Sequence, residues 1–169
     1  KFKFKKVKQG NSVGVLQISD THFNELVSLP HNNYDFKVAS RRLKHYVNRA
    51  KEIFKVYDID NVLIAITGDL INSDRRLDEM LNMYTNRSKA VFLAVDLLQQ
   101  VIFDVGQDYS VSVACVTGNE SRLKQDWGWS DFMASDNYDF VIFEILRHYF
   151  KTTDVQFVVD DPTEVVVNV

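Results

Sequence analysis

The chain has 169 residues, 46% of them hydrophobic and 25% charged, with a formal net charge of −3. That size suits one domain over residues 1–169, and the apolar content excludes wholesale disorder. No apolar run reaches the ~18–20 residues a membrane-spanning helix needs, so no membrane partner is expected.

Cys115 is the single cysteine, so no internal disulfide can form. A reducing compartment, the cytoplasm, is the expected location. The basic opening Lys1-Phe2-Lys3-Phe4-Lys5-Lys6 is not followed by the apolar core of a signal peptide. Charge is unevenly spread. Residues 1–60 carry 12 Lys and Arg against 6 Asp and Glu, and residues 61–169 carry 8 against 17. A basic part can meet phosphate and an acidic part can hold cations.

The first predicted element is a strand over 13–19, a short apolar run stopped by polar Asp20-Thr21-His22. Leu43, Tyr46, Val47, Ala50, Ile53, Phe54 and Tyr57 then recur at helical spacing, with Arg41, Arg42, Lys44, Arg49, Lys51 and Lys55 opposite. This predicts an amphipathic helix over 37–57. Residues 61–67 are apolar almost throughout, as in a central strand of a parallel sheet covered on both faces. A polar, mixed segment (72–87) leads to a second long helix over 88–104, with Gly106 as its stop. Residues 110–117 are the third strand, and a loop rich in Asp, Ser and Trp (126–138) precedes a third helix over 139–151. A fourth strand (155–160), a turn at Asp161-Pro162-Thr163 and a fifth strand (164–169) complete the reading. Alternating strands and helices define an α/β fold.

Polar residues follow each strong strand: Asp20 and His22, then Gly68 and Asp69, then Gly118, Asn119 and Glu120. Ligands in open α/β sheets bind outside the carboxyl ends of the strands, so neighbouring strands would bring these residues to one place. In an extended Asp-x-His segment both side chains point the same way and can grip one ion. Asp, His, Asp and Asn form a mixed oxygen and nitrogen donor set suited to divalent transition metals. Asp69 has two oxygens with which to bridge a pair of ions. Gly68 and Gly118 allow sharp turns and close approach. Each fragment alone is common in turns, and their order and placement carry the signal.

Ile18-Ser19-Asp20-Thr21-His22-Phe23, Ile66-Thr67-Gly68-Asp69-Leu70 and Val116-Thr117-Gly118-Asn119-Glu120 resemble the first three motifs of the calcineurin-like metallophosphoesterases. That superfamily includes phosphatases, phosphodiesterases and nucleases, and this chain is most similar to a nuclease-like or phage-type branch. The resemblance implies its α/β sandwich with a βαβαβ core, and hydrolysis of phosphomonoesters or phosphodiesters by a metal-bound hydroxide. It implies two divalent ions, Mn²⁺ first, with Fe, Zn or Ni as alternatives. Asp20 and His22 would bind one ion, Asp69 would bridge, and Asn119 would bind the second ion and the phosphate. The partner is a phosphate ester, with nucleic acid among the candidates.

Two departures stand out. The family's His after the Asn is Glu120 here, which could protonate a leaving alkoxide if burial raised its pKa, and Arg122 could contact phosphate or be a surface cation. The later His motifs are absent. His31, His45 and His148 read as loop and helix residues, which implies an N-terminal portion of a longer enzyme. The competing reading is a catalytically impaired binding or scaffold protein of the same fold.

Overall fold

A computed structural model of the chain describes residues 12–123, 135–158 and 161–167. In chain order the elements are β1 (Val13–Ile18), β2 (Val27–Leu29), β3 (Asn32–Tyr34), α1 (Phe36–Val56), β4 (Asn61–Ile66), α2 (Leu77–Leu81), α3 (Arg87–Gly106), β5 (Ser110–Cys115), α4 (Tyr138–Phe150) and β6 (Gln156–Val158). The fold is α/β. Four strands pair in the order β1-β4-β5-β6, and all three pairings are parallel. β2 and β3 form a separate antiparallel hairpin.

The long helices lie where the apolar spacing predicts them, and their ends have local causes. Asp35 caps α1 by accepting the Val38 N–H at 2.7 Å. The helix closes in a Schellman arrangement, with the Ile59 N–H bonded to the Phe54 carbonyl at 3.0 Å and Asp58 in the left-handed region at φ 54°. Asn86 caps α3 by accepting the Lys89 N–H at 2.9 Å. Gly106 is not the stop beyond α3. It is the last helical residue, and Gln107 is the C-cap.

Register explains which residues form the core. Leu16, Ile64, Val113 and Phe157 lie in one row across the sheet, and Ile18, Ile66 and Cys115 in the next. These side chains point to the face covered by α1, α3 and α4, where they share one hydrophobic cluster with Leu43, Val47, Leu98, Ile102, Ile142 and Leu146. Each fully buried Leu, Ile or Phe contributes roughly 1.5–3 kcal/mol of transfer free energy. The opposite face carries Val15, Leu63 and Ser112 in one row and Gln17, Ala65 and Ala114 in the next; Val15 is 55% exposed, whereas Leu63 and Ala114 are buried. β4 is thus a central strand, but the long helices converge on one of its faces.

Other expectations need correction. Residues 164–167 form no strand. The turn before them is tied by the Thr163 N–H bonding to Asp161 Oδ1 at 2.7 Å, and the Pro162 carbonyl accepts the Thr117 N–H at 2.8 Å, beyond the end of β5. Among the described residues the fourth strand covers 156–158, starting one residue later than expected. Residues 159, 160, 168 and 169, and most of the 126–138 loop, lie outside the described residues. The β2–β3 hairpin and the five-residue α2 were not expected from the sequence pattern.

Candidate functional site

The β1–β4 ladder continues past the strands into the turns that carry the first two motifs. The Asp20 N–H donates to the Gly68 carbonyl at 3.1 Å, and the His22 N–H donates to the Asp69 carbonyl at 3.1 Å. This pairing puts the Asp-x-His and Gly-Asp segments side by side at the carboxyl ends of neighbouring strands. Asp20 accepts from the Ser19 hydroxyl. His22 is half-buried, and its Nδ1 is buried with no hydrogen-bond partner.

Four non-glycine residues have positive φ among the described residues, and three are Asp20 (φ 50°), His22 (φ 44°) and Asp69 (φ 52°). Such conformations cost free energy in ordinary residues and gather where a side chain must be aimed. Unlike the fourth, Asp58, none of the three ends a helix. The extended Asp-x-His geometry expected from the sequence is therefore replaced by a turn in which both residues are left-handed.

The third motif packs against the second. A Cβ on Gly118 would lie 2.1 Å from Asp69 Oδ1, and one on Gly68 would lie 2.3 Å from the Gly118 nitrogen. Only glycine fits either place, and Gly68 also has φ 86°. The Glu120 N–H donates to Asp69 Oδ1 at 2.7 Å. One oxygen of the expected bridging carboxylate is thus fixed by the third motif.

Asn119 is exposed, and its amide donates to Glu120 Oε1 at 2.7 Å. Glu120 pairs with Arg75 at 2.5 Å. Burial pushes the Glu120 carboxyl up, but hydrogen bonds from Arg75, Ser73 and Asn119 outweigh it and hold the group below the usual carboxylate range. The condition for Glu120 to act as a general acid, a raised pKa, is not met here. Arg122 is half-buried. Its carbonyl accepts from Arg87 at 3.0 Å, and its backbone bridges to Asn137.

Two residues that hold this arrangement were missed from the sequence. Asp139, in the first turn of α4, is 0% exposed. Its Oδ2 accepts the N–H groups of Asp69 at 2.9 Å and Gly118 at 3.0 Å. Its Oδ1 accepts the Ser121 hydroxyl at 2.7 Å and the Leu70 N–H at 3.2 Å. One carboxylate thus clamps the second and third motif turns together. Burial pushes this carboxyl up, against the pull of Ser121 and the three backbone donors. The available signal was an acidic residue directly before the apolar stretch Phe140-Val141-Ile142-Phe143.

The second residue is Arg87, the first residue of α3, which is buried. It pairs with Asp74 at 2.9 Å, donates to the carbonyls of Glu120 (3.1 Å) and Arg122 (3.0 Å), and stacks over the Tyr138 ring at 4.6 Å. It holds the third motif loop through the carbonyls of Glu120 and Arg122.

The structure therefore gathers the three motif turns, the first two by backbone pairing and the third through the carboxylates of Asp69 and Asp139. The side chains are less closely gathered. Among the described residues, no three His, Cys, Asp or Glu side chains form a metal cage. The donors Asp20, His22 and Asp69 suit a divalent transition ion in kind, and the unpartnered His22 Nδ1 fits a role as a ligand. For a second ion the available donors are Asp69 and Asn119, and Asn119 already bonds to Glu120. His31 lies in the hairpin turn, and His45 and His148 lie on exposed helix positions, away from the motif turns. Compared with known proteins, the chain matches no family model, no curated protein and no solved structure.

Proposed function

We propose that the chain is a metal-dependent phosphoester hydrolase of the calcineurin-like metallophosphoesterase kind, with the sandwich architecture of that family. The observation that carries this reading is backbone strain. The three residues expected to hold metal, Asp20, His22 and Asp69, adopt left-handed conformations on adjacent turns. Packing that holds three such residues in these conformations supports a functional demand on where their side chains point.

In this reading Asp20, His22 and Asp69 hold the first divalent ion, Mn²⁺ before Fe, Zn or Ni. Asp69 and Asn119 contribute to a second. Bound divalent ions supply charge neutralisation at the phosphoryl group and ionise water near neutral pH. Asp139 and Arg87 hold the motif turns in register. Ionised Glu120 orients the Asn119 amide instead of delivering a proton. Arg122 lies close enough in sequence to the third motif to meet phosphate. Substrates are phosphomonoesters or phosphodiesters, nucleic acid included.

One observation favours the second reading, a catalytically impaired binding protein of this fold. Glu120 occupies the position of the expected histidine and is neutralised by Arg75. Two measurements separate the readings: Mn²⁺ binding by calorimetry, and Mn²⁺-dependent hydrolysis of p-nitrophenyl phosphate and its bis ester. The enzyme reading expects saturable Mn²⁺ binding, and hydrolysis that falls at least roughly 100-fold in Asp69→Asn. A chain that binds Mn²⁺ but hydrolyses neither ester leaves only the binding reading. Hydrolysis that persists in Asp69→Asn sinks the metal assignment.

A further inference from the structure

Beside the Asp20–His22 turn lies a cleft of about 500 Å³, bounded by that turn, the β2–β3 hairpin and α1. Its size falls within the usual range for a small-molecule site, roughly 300–1,000 Å³. Asp20 and His22 form one end of the lining, and Tyr34, Arg42, Leu43 and Tyr46 form much of the rest.

The two aromatic walls are fixed by their hydroxyls. The Tyr46 hydroxyl donates to the Gln17 carbonyl at 2.9 Å, and the ring remains 42% exposed. The Tyr34 hydroxyl donates to the Thr21 carbonyl. Burial and the nearby Glu25 push the Tyr34 phenol up to about 12 against the pull of Arg42, so it stays a neutral wall. A ring whose polar end is tied down offers an apolar face at little entropic cost.

Arg42 supplies the third chemistry. Its guanidinium lies over the Tyr34 ring, 5.5 Å from the centroid. Stacking occupies the face of the guanidinium and leaves its N–H edge available for a bidentate acceptor. Glu25 and Asp20 share the cleft, yet among the described residues no carboxylate pairs with Arg42. A cation left without a carboxylate beside fixed aromatic walls suits an anionic, ring-bearing ligand.

We propose that this cleft is the leaving-group pocket, and that it takes an aromatic alcohol carrying its own phosphate, as in a phosphorylated nucleoside. This rests on the phosphoesterase reading. The ring lies against Tyr46 and Leu43, the second phosphate meets Arg42, and the ester to be cleaved points to Asp20 and His22. Hydrolysis forms a P–O bond to the oxygen of water and breaks the P–O bond to the alcohol. The alcohol leaves through the cleft with one of the water protons, and the phosphate keeps the hydroxyl.

The test is equilibrium binding of adenosine 3′,5′-bisphosphate to the full chain in EDTA, beside hydrolysis of p-nitrophenyl phosphate with Mn²⁺. Arg42→Gln should weaken bisphosphate binding by roughly 10- to 100-fold, the usual range for losing a charge-assisted contact. Tyr46→Ala should weaken it roughly tenfold. Arg41→Gln removes the same charge one residue away and should change it little. Hydrolysis of p-nitrophenyl phosphate should be insensitive to Arg41→Gln, which lies outside the cleft lining. Equal weakening by Arg41→Gln and Arg42→Gln, or none by either, overturns the pocket. Arg42-dependent binding with no ester hydrolysed leaves a nucleotide-binding cleft and overturns only the phosphoesterase reading. Bisphosphate binding that ignores Arg42→Gln and Tyr46→Ala, beside intact Mn²⁺-dependent hydrolysis, keeps that reading and overturns the pocket.

Discussion

Asp139 shows how much of this site depends on one side chain that reaches no solvent. Its two oxygens satisfy four donors, three of them backbone N–H groups of the motif turns. Asp139→Asn keeps the shape but turns an amide N–H₂ toward at least one N–H donor. Leaving buried donors unpaired costs ~1–3 kcal/mol each. The expected loss is about 3 kcal/mol in urea unfolding, together with a roughly 10- to 100-fold weaker affinity for Mn²⁺, the usual effect of removing the support behind metal ligands. An unchanged urea midpoint would show that the clamp is dispensable. The residues it supports were legible in the sequence because a polar motif directly after an apolar strand is a local pattern. Asp139 was not, because its partners lie 18 to 70 positions away. Glu120 was legible by position but not by state, since its pairing with Arg75 depends on how a distant loop packs.

At the scale of elements, α1 and α3 are tied by a polar contact as well as by the core. The Lys51 ammonium pairs with Asp104 at 3.1 Å and Asp108 at 2.5 Å. Burial alone would lower its pKa, but the hydrogen bonds it donates to Asp108 and Asp104 outweigh that, and the net shift is upward. For a base, a folded pKa above the unfolded one stabilises the fold below the unfolded value, and the gain is lost as pH rises through the folded value. Lys51→Met should therefore cost about 1–2 kcal/mol near neutral pH. The gap to the wild type should close as pH rises beyond 10.5, as read from urea midpoints. A gap that stayed constant up to pH 11.5 would mean that the aliphatic stem, not the charge, carries the contact. The two long helices were readable from spacing because 20 or so residues repeat the same face. The hairpin was not, because three-residue strands carry too little periodicity to register.

For the whole molecule, the parallel order β1-β4-β5-β6 sets the motifs at one end of the sheet. The same order sends most of the large apolar side chains to the helical face and leaves Val15, Gln17, Leu63, Ser112 and Ala114 on the other. The apolar run at 61–67 implied burial on both sides, and its successive residues Leu63 and Ile64, which face opposite ways, are both buried, but run length alone cannot say what covers the second face. Residues 164–167 misled for a related reason: β-branched residues favour strands, yet a strand needs a neighbour's backbone with which to pair. Cys115 closes the helical-face row that begins at Ile18. Burial, reinforced by Asp139 and Glu144, pushes its thiol well above the ordinary range, so little thiolate forms in the folded protein. The chain thereby carries a single built-in reporter of its own opening, at the carboxyl end of β5, where the ladder to β4 finishes. Alkylation of Cys115 at pH 8 should run at least ~10³-fold slower than in an unstructured cysteine peptide, and should accelerate along the urea transition. Labelling at the peptide rate in native buffer would mean that the end of β5, and the motif turn that follows it, opens far more often than the rest of the sheet.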